Sequence, residues 1–151
     1  MAPTLNDEPA PMPFREKVAW FTLLSAVVIY GGFVGAVLDV PPAEQTVLRV
    51  IVLFTVAITA QGVSIAIARP LLALRDPEEA KLPLDERDRS VARRAFKAAY
   101  LTLMGGVVVL AMAVPYAHAD WQLTLSAYLT TIVADVARMA ATIVNYRSRH
   151  G

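Results

Sequence analysis

Four long apolar stretches, separated by short polar segments, dominate the hydropathy pattern of this chain of 151 residues. They lie at about residues 18–38, 47–68, 95–114 and 123–146. The first contains 21 residues without a charge. At a rise of ~1.5 Å per residue, a helix of that length crosses the ~30 Å hydrocarbon core of a bilayer. The pattern therefore predicts an all-α fold, an integral membrane four-helix bundle.

Basic residues are concentrated between the two apolar halves. The segment from Arg69 to Lys97 holds eight of the fourteen Lys and Arg residues, whereas the turns after the first and third spans contain none. Because short basic loops stay on the cytoplasmic side of a membrane, loop 69–94 and both termini are predicted to be cytoplasmic. Residues 1–14 include four prolines and no hydrophobic period, which predicts a disordered tail before a transmembrane domain at 15–151.

Polar residues mark the ends of the first two spans. Asp39 and the prolines that follow it are expected to end the first span, and Arg69-Pro70 is expected to mark the inner end of the second. Arg49 lies near the outer end of the second span. It is either paired with Asp39 across the short turn or a single solvated charge.

A capped, basic helix is predicted to lead into the third span. Asp85 has the position of an N-cap, and Asp88 follows three residues later as its acidic capping partner. In the next turns Arg89, Arg93 and Lys97 recur every four residues and share one face, and Arg94 widens that face. Beside an anionic leaflet each such residue contributes about 1 kcal/mol of attraction to lipid headgroups. The alternative is that these residues are only the topology signal.

The sequence around this cap resembles that of a known protein group. Leu84-Asp85-Glu86-Arg87-Asp88-Arg89, followed by Ala99-Tyr100 and by a terminal Asn145-Tyr146-Arg147-Ser148-Arg149-His150-Gly151, is similar to an uncharacterised family of small bacterial membrane proteins. That family has an Asp-Glu-Arg-acidic-Arg motif before its third span. The resemblance covers the second half of the chain, and it implies a four-span layout and a bacterial inner membrane. The family supplies no activity to carry over.

The fourth span carries a polar face. Its members follow one another at spacings of three and four residues: Thr124, Tyr128, Thr131, Asp135, Arg138, Thr142 and Asn145. An isolated charge near mid-membrane costs at least ~2.5 kcal/mol, so Asp135 and Arg138 must be paired or hydrated. A structural ion pair is favoured, and a polar transport path is the alternative. Gln61 in the second span is interpreted as a hydrogen-bonding contact to other helices.

Small residues in the first span suggest a contact between copies of the chain. Gly31 and Gly35 form a Gly-x-x-x-Gly pair, which allows close approach of two helices and would support a homo-oligomer. The alternative is that glycine is simply frequent in membrane helices.

The composition argues against most enzyme classes. The chain has no cysteine and two histidines, and it shows no nucleophile motif, metal-ligand set or phosphate loop. We therefore expect no catalytic residues, cofactor or metal, and no nucleic-acid binding by so short and mixed a basic segment. The expected function is a non-enzymatic membrane interaction or accessory protein that binds anionic lipids or a partner. The alternative is a small transporter or channel subunit.

Overall fold

A computed structural model describes residues 14–75, 77–78, 85–114 and 120–148, and four long helices account for most of these ranges. They are α1 (Phe14–Leu38), α2 (Val47–Arg75), α3 (Glu86–Ala113) and α4 (Asp120–Arg147). Each is long and apolar enough to cross a membrane, and the described part of the chain contains no strand. The prediction of an all-α, four-helix membrane fold is confirmed.

The helices extend beyond the apolar stretches that predicted them. α1 begins at Phe14, inside the predicted tail 1–14, whose first thirteen residues lie outside the described ranges. α2 does not end at Arg69-Pro70 but continues through Pro70 to Arg75. One proline removes a single backbone donor, and in a membrane helix neighbouring groups compensate for that loss.

Side-chain hydrogen bonds close the turn between α1 and α2. Pro42–Glu44 forms a 3-10 turn, and the buried Gln45 donates from Nε2 to the carbonyl oxygens of Val37 and Val40 at the end of α1. These bonds satisfy carbonyl groups that a helix terminus leaves without partners. No sequence pattern indicates this role for Gln45.

The proposed pair of Arg49 and Asp39 is wrong. The guanidinium of Arg49 donates instead to the carbonyl oxygen of Ala36, at 3.4 Å. This carbonyl lies in the last turn of α1, where carbonyl groups have no hydrogen-bond donor within the helix and the partial negative charge of the helix is concentrated.

Helix α4 lies at the centre of the fold, because it packs against each of the other three helices. Its contact with α2 includes a pair of aromatic rings, and one of these rings also contacts α1. The ring of Phe54 stacks on that of Tyr128, with centroids 3.9 Å apart, and meets the ring of Phe33 edge-on at 5.7 Å. Phe33 belongs to the buried core together with Tyr30 and Val37, and the partly buried rings of Phe54 and Tyr128 pack against it.

Helix α3 packs extensively only against α4. Val91 and Ala95 are buried on the contacting face, and further along Gly106 faces Thr130. A Cβ atom at position 106 would overlap Cγ2 of Thr130, so the absence of a side chain permits this approach. Small residues at the contact bring the two helices close together, as is common in membrane bundles.

Candidate functional site

Asp88 joins the ends of three helices. Its carboxylate completes the predicted capping box with Asp85, because Oδ2 accepts from the backbone N–H of Asp85 at 3.2 Å. The same carboxylate forms an ion pair with Arg15 of α1 and accepts from the hydroxyl of Tyr146 of α4 at 2.9 Å. A residue that the sequence indicates only as a local helix cap thus also connects α1, α3 and α4.

A second ion pair lies beside it. Nε of Arg147 on α4 lies 3.3 Å from Oε1 of the buried Glu16 on α1, and the guanidinium also covers the ring of Trp20 at 5.2 Å from its centroid. We refer to Arg15, Glu16, Asp88, Tyr146 and Arg147 as the charged end of the bundle. Since the start of α1, the start of α3 and the end of α4 meet there, these three ends lie on the same side of any membrane that the helices cross.

The four basic residues predicted on one face of α3 are exposed: Arg89, Arg93, Arg94 and Lys97. We call them the basic stripe. They lie away from the buried contact of Val91 and Ala95 with α4. Among the described residues none of the four has a hydrogen-bond or ion-pair partner, in contrast to Arg15 and Arg147.

Aromatic side chains continue the exposed surface of α3 from the basic stripe toward the middle of the helix. Phe96 is 65% exposed and Tyr100 is 61% exposed. Apolar residues follow them on the outer side, among them Met104 and Val108. This order of charge, aromatic ring and aliphatic side chain matches the order of headgroup, interface and hydrocarbon in a bilayer.

Asp135 and Arg138 pair within α4. Nη2 and Nε of Arg138 lie 2.7 Å and 3.0 Å from Oδ1 of Asp135. The structural interpretation predicts a buried pair, but 31% of the Asp135 side chain and 36% of the Arg138 side chain are exposed. Spacing of three residues makes this contact local, so it requires no other helix.

The other polar residues of α4 also bond mainly to their own helix. The hydroxyls of Thr124, Thr131 and Thr142 each donate to the carbonyl oxygen four residues earlier, and Asn145 donates to that of Ala141. Tyr128 stacks on Phe54. The polar face is thus largely satisfied within α4, which reduces the need for a water-filled path.

Gln61 connects α2 to α1 within the bundle. It is buried, and its Nε2 donates to the carbonyl oxygen of Thr22 at 3.2 Å and to the hydroxyl of Ser25 at 3.1 Å. Its Oε1 has no hydrogen-bond partner among the described residues. The amide therefore acts as the interhelical contact that the sequence suggested.

A cavity of about 580 Å³ lies between α1, α2 and α4, and we call it the Arg69 cavity. Arg15, Arg69 and Arg138 line it, one from each helix. Its remaining described lining is mainly apolar: Phe14, Val18, Ala19, Ile65, Pro70, Ala73 and Met139, with Thr22, Thr142 and Tyr146. A second cavity of about 210 Å³ lies between α3 and α4 and is also bordered by Arg138.

Gly31 and Gly35 lie on the outer surface of α1. Both are exposed, and a Cβ atom at either position would meet no other atom within 4 Å. The surface is therefore open, and the homo-oligomer stays a prediction. In the described ranges no group of three or more His, Cys, Asp or Glu residues is placed to hold a metal ion.

No family model, curated protein or solved structure matches this chain. The similarity of its second half to small bacterial membrane proteins stays a prediction. The fold is shown by the chain itself, which forms a four-helix bundle of membrane-spanning length.

Proposed function

We propose that this protein is a non-enzymatic accessory protein of the bacterial inner membrane that gathers anionic phospholipids at the basic stripe of α3. The single observation that carries the proposal is that Arg89, Arg93, Arg94 and Lys97 lie on an exposed face without a hydrogen-bond or ion-pair partner among the described residues. Arg15 and Arg147, at the same end, have acidic partners within the chain.

The surroundings of the basic stripe support a lipid as its ligand. A phospholipid whose phosphate lies beside Arg93 or Lys97 would place its acyl chains along the exposed, largely apolar side chains of Tyr100 and Met104. Lys and Arg near a membrane surface attract anionic headgroups, and aromatic rings favour the interface just below. A soluble acidic partner would satisfy the charges but would make no contact with this apolar surface.

The proposed orientation places the charged end and the basic stripe in the cytoplasm. The reason is the distribution of Lys and Arg, since segment 69–97 holds eight of fourteen and the turn at 39–46 holds none. Both termini would then be cytoplasmic.

Cysteine labelling tests this orientation, because the natural chain has no cysteine. In intact cells Ala43→Cys and Ala117→Cys should react with a membrane-impermeant maleimide, whereas Ala80→Cys should react only after lysis. Positions 80 and 117 lie outside the described residues, and position 43 lies in the 3-10 turn. The reverse labelling pattern would overturn the proposed orientation.

Charge reversal tests the basic stripe. Replacing Arg89, Arg93 and Lys97 with Glu should weaken retention of phosphatidylglycerol by about fivefold per residue, which corresponds to about 1 kcal/mol each. Native mass spectrometry measures the retention of phosphatidylglycerol, and the retention of zwitterionic phosphatidylcholine is measured for comparison. As a matched control, single Arg93→Glu is compared with Arg49→Glu, since Arg49 is exposed at the opposite end of the bundle. Equal lipid retention by all variants, with the fold intact, would exclude the role.

A small transporter or channel subunit is the second candidate. The observation that favours it is the position of Arg138, which borders a cavity on each side of α4 and pairs with Asp135. A proton or cation route would pass this pair. The hydroxyl groups of Thr131 and Thr142, which bond to their own helix, weigh against such a route.

A further inference from the structure

We propose that the Arg69 cavity binds the phosphate of a single anionic phospholipid, at a site separate from the basic stripe. The cavity is bordered by α1, α2 and α4, whereas the basic stripe lies on α3. The inference therefore does not depend on the proposed function of the stripe.

The charge of the cavity is the first argument. Arg15, Arg69 and Arg138 converge on it, and its described lining includes no acidic residue. Arg15 and Arg138 each have a carboxylate partner, Asp88 and Asp135, outside that lining. Arg69 has no hydrogen-bond or ion-pair partner among the described residues. Its guanidinium is thus available to form a pair of charge-assisted, bidentate hydrogen bonds with a phosphate.

The apolar wall indicates which kind of anion fits. Val18, Ile65 and Met139 border the same space as the arginines, and Met139 is buried. A free phosphate would leave these surfaces uncovered. A phospholipid would place its glycerol backbone and upper acyl chains against them, which adds hydrophobic burial to the ionic contact.

The size and depth of the cavity agree with partial entry of a lipid. A volume of about 580 Å³ is typical of sites for small ligands. It is too small for a whole phospholipid, so the lower acyl chains would lie outside the cavity. Arg69 precedes the end of α2 at Arg75 by six residues, or about 9 Å of helix. This depth from the helix end is compatible with the boundary between headgroups and hydrocarbon. Basic pockets between membrane helices at this level bind anionic headgroups in other proteins.

Two substitutions remove the site by different means. Arg69→Gln removes the unpaired charge, and Ala73→Trp fills the apolar part of the cavity while keeping all three arginines. Two controls match them. Leu74→Trp adds the same ring on an adjacent residue that is 78% exposed and does not line the cavity, and Arg75→Gln removes an exposed charge from the same helix outside the cavity.

The measurement is native mass spectrometry of purified protein after detergent exchange with phosphatidylglycerol present at a fixed ratio. The wild-type protein and both controls should retain one strongly bound lipid. Arg69→Gln should reduce the occupancy of this lipid at least about tenfold, because the loss of a charged contact lowers affinity by about a factor of ten. Ala73→Trp should reduce it by at least as much, because the indole ring fills the space of the lipid. Melting temperatures identify any variant that fails to fold, in which case the other substitution decides.

Three results would overturn the inference: the absence of a retained lipid in the wild-type protein, equal retention in all variants, or displacement of phosphatidylglycerol by inorganic phosphate at equal concentration. The last would assign the arginines to a soluble anion. Failure of the basic stripe gives a different pattern, in which Glu substitutions on α3 leave total lipid uptake unchanged while the Arg69 variant still loses its single lipid.

Discussion

Replacing Asp88 with alanine should lower the free energy of unfolding by about 2 to 4 kcal/mol, a large fraction of the stability of a small domain. The carboxylate of Asp88 takes part in the capping box of α3, the ion pair with Arg15 and the hydrogen bond from Tyr146. Asp88→Ala removes all three contacts at once and leaves α1, α3 and α4 without their shared connection. Unfolding in detergent, titrated with sodium dodecyl sulfate and followed by circular dichroism, measures the loss.

Glu86→Ala is the matched control for Asp88→Ala. Glu86 is an exposed acidic residue in the same first turn, and its side chain has no role in the cap. Its replacement should cost a few tenths of a kcal/mol through the helix dipole alone. Tyr146→Phe removes one of the three contacts of Asp88 and should cost about 1 kcal/mol. Equal destabilisation by Asp88→Ala and Glu86→Ala would show that Asp88 acts only through its charge at the helix start.

Asp135→Asn should destabilise the bundle by about 1 to 3 kcal/mol, because it leaves the guanidinium of Arg138 without its counter-charge. The range is below that of an ion pair between two packed helices, since both partners lie on α4 and the contact is local. Adding Arg138→Gln to this variant should recover most of the loss. Thermal unfolding of the two single variants and the double variant in detergent measures the coupling between the residues.

Ion flux in liposomes separates the structural pair from the transport path. If the pair is structural, stability follows the charge balance and the wild-type protein produces no proton or cation flux above that of empty liposomes. If it lies on a route, Asp135→Asn abolishes a measurable wild-type flux at unchanged stability and Arg138→Gln does not restore it. That second pattern would replace the lipid proposal with the transporter.

Features that depend on nearby residues could be predicted from the sequence. The four helices follow from the contrast between apolar stretches and charged ends, and the contact of Asp135 with Arg138 follows from their spacing. The hydropathy pattern was less informative about helix ends. It marks where charges begin rather than where backbone hydrogen bonds stop, so it placed the end of the second span before Arg69 although α2 continues to Arg75.

Features that depend on how the helices are arranged could not be predicted. Arg15 and Asp88 are 73 residues apart, and their pairing requires that the starts of α1 and α3 lie side by side. The Arg69 cavity requires three helices in a particular order, and no local pattern around Arg69 indicates it. Charged and polar residues recur at one end of several apolar stretches, which indicates that contacts between helices can form there. This pattern does not specify which residue pairs with which.

The limited packing of α3 has a consequence for biosynthesis. Its main neighbour, α4, follows it in the chain, so the ribosome delivers α3 to the bilayer before that neighbour exists. During this interval the face around Ala95 and Gly106 must be covered by lipid. Insertion of α4 then replaces that lipid, brings Tyr128 against Phe54 and carries Tyr146 to Asp88. Arrival of the last helix is therefore the step that joins α3 to the pair already formed by α1 and α2.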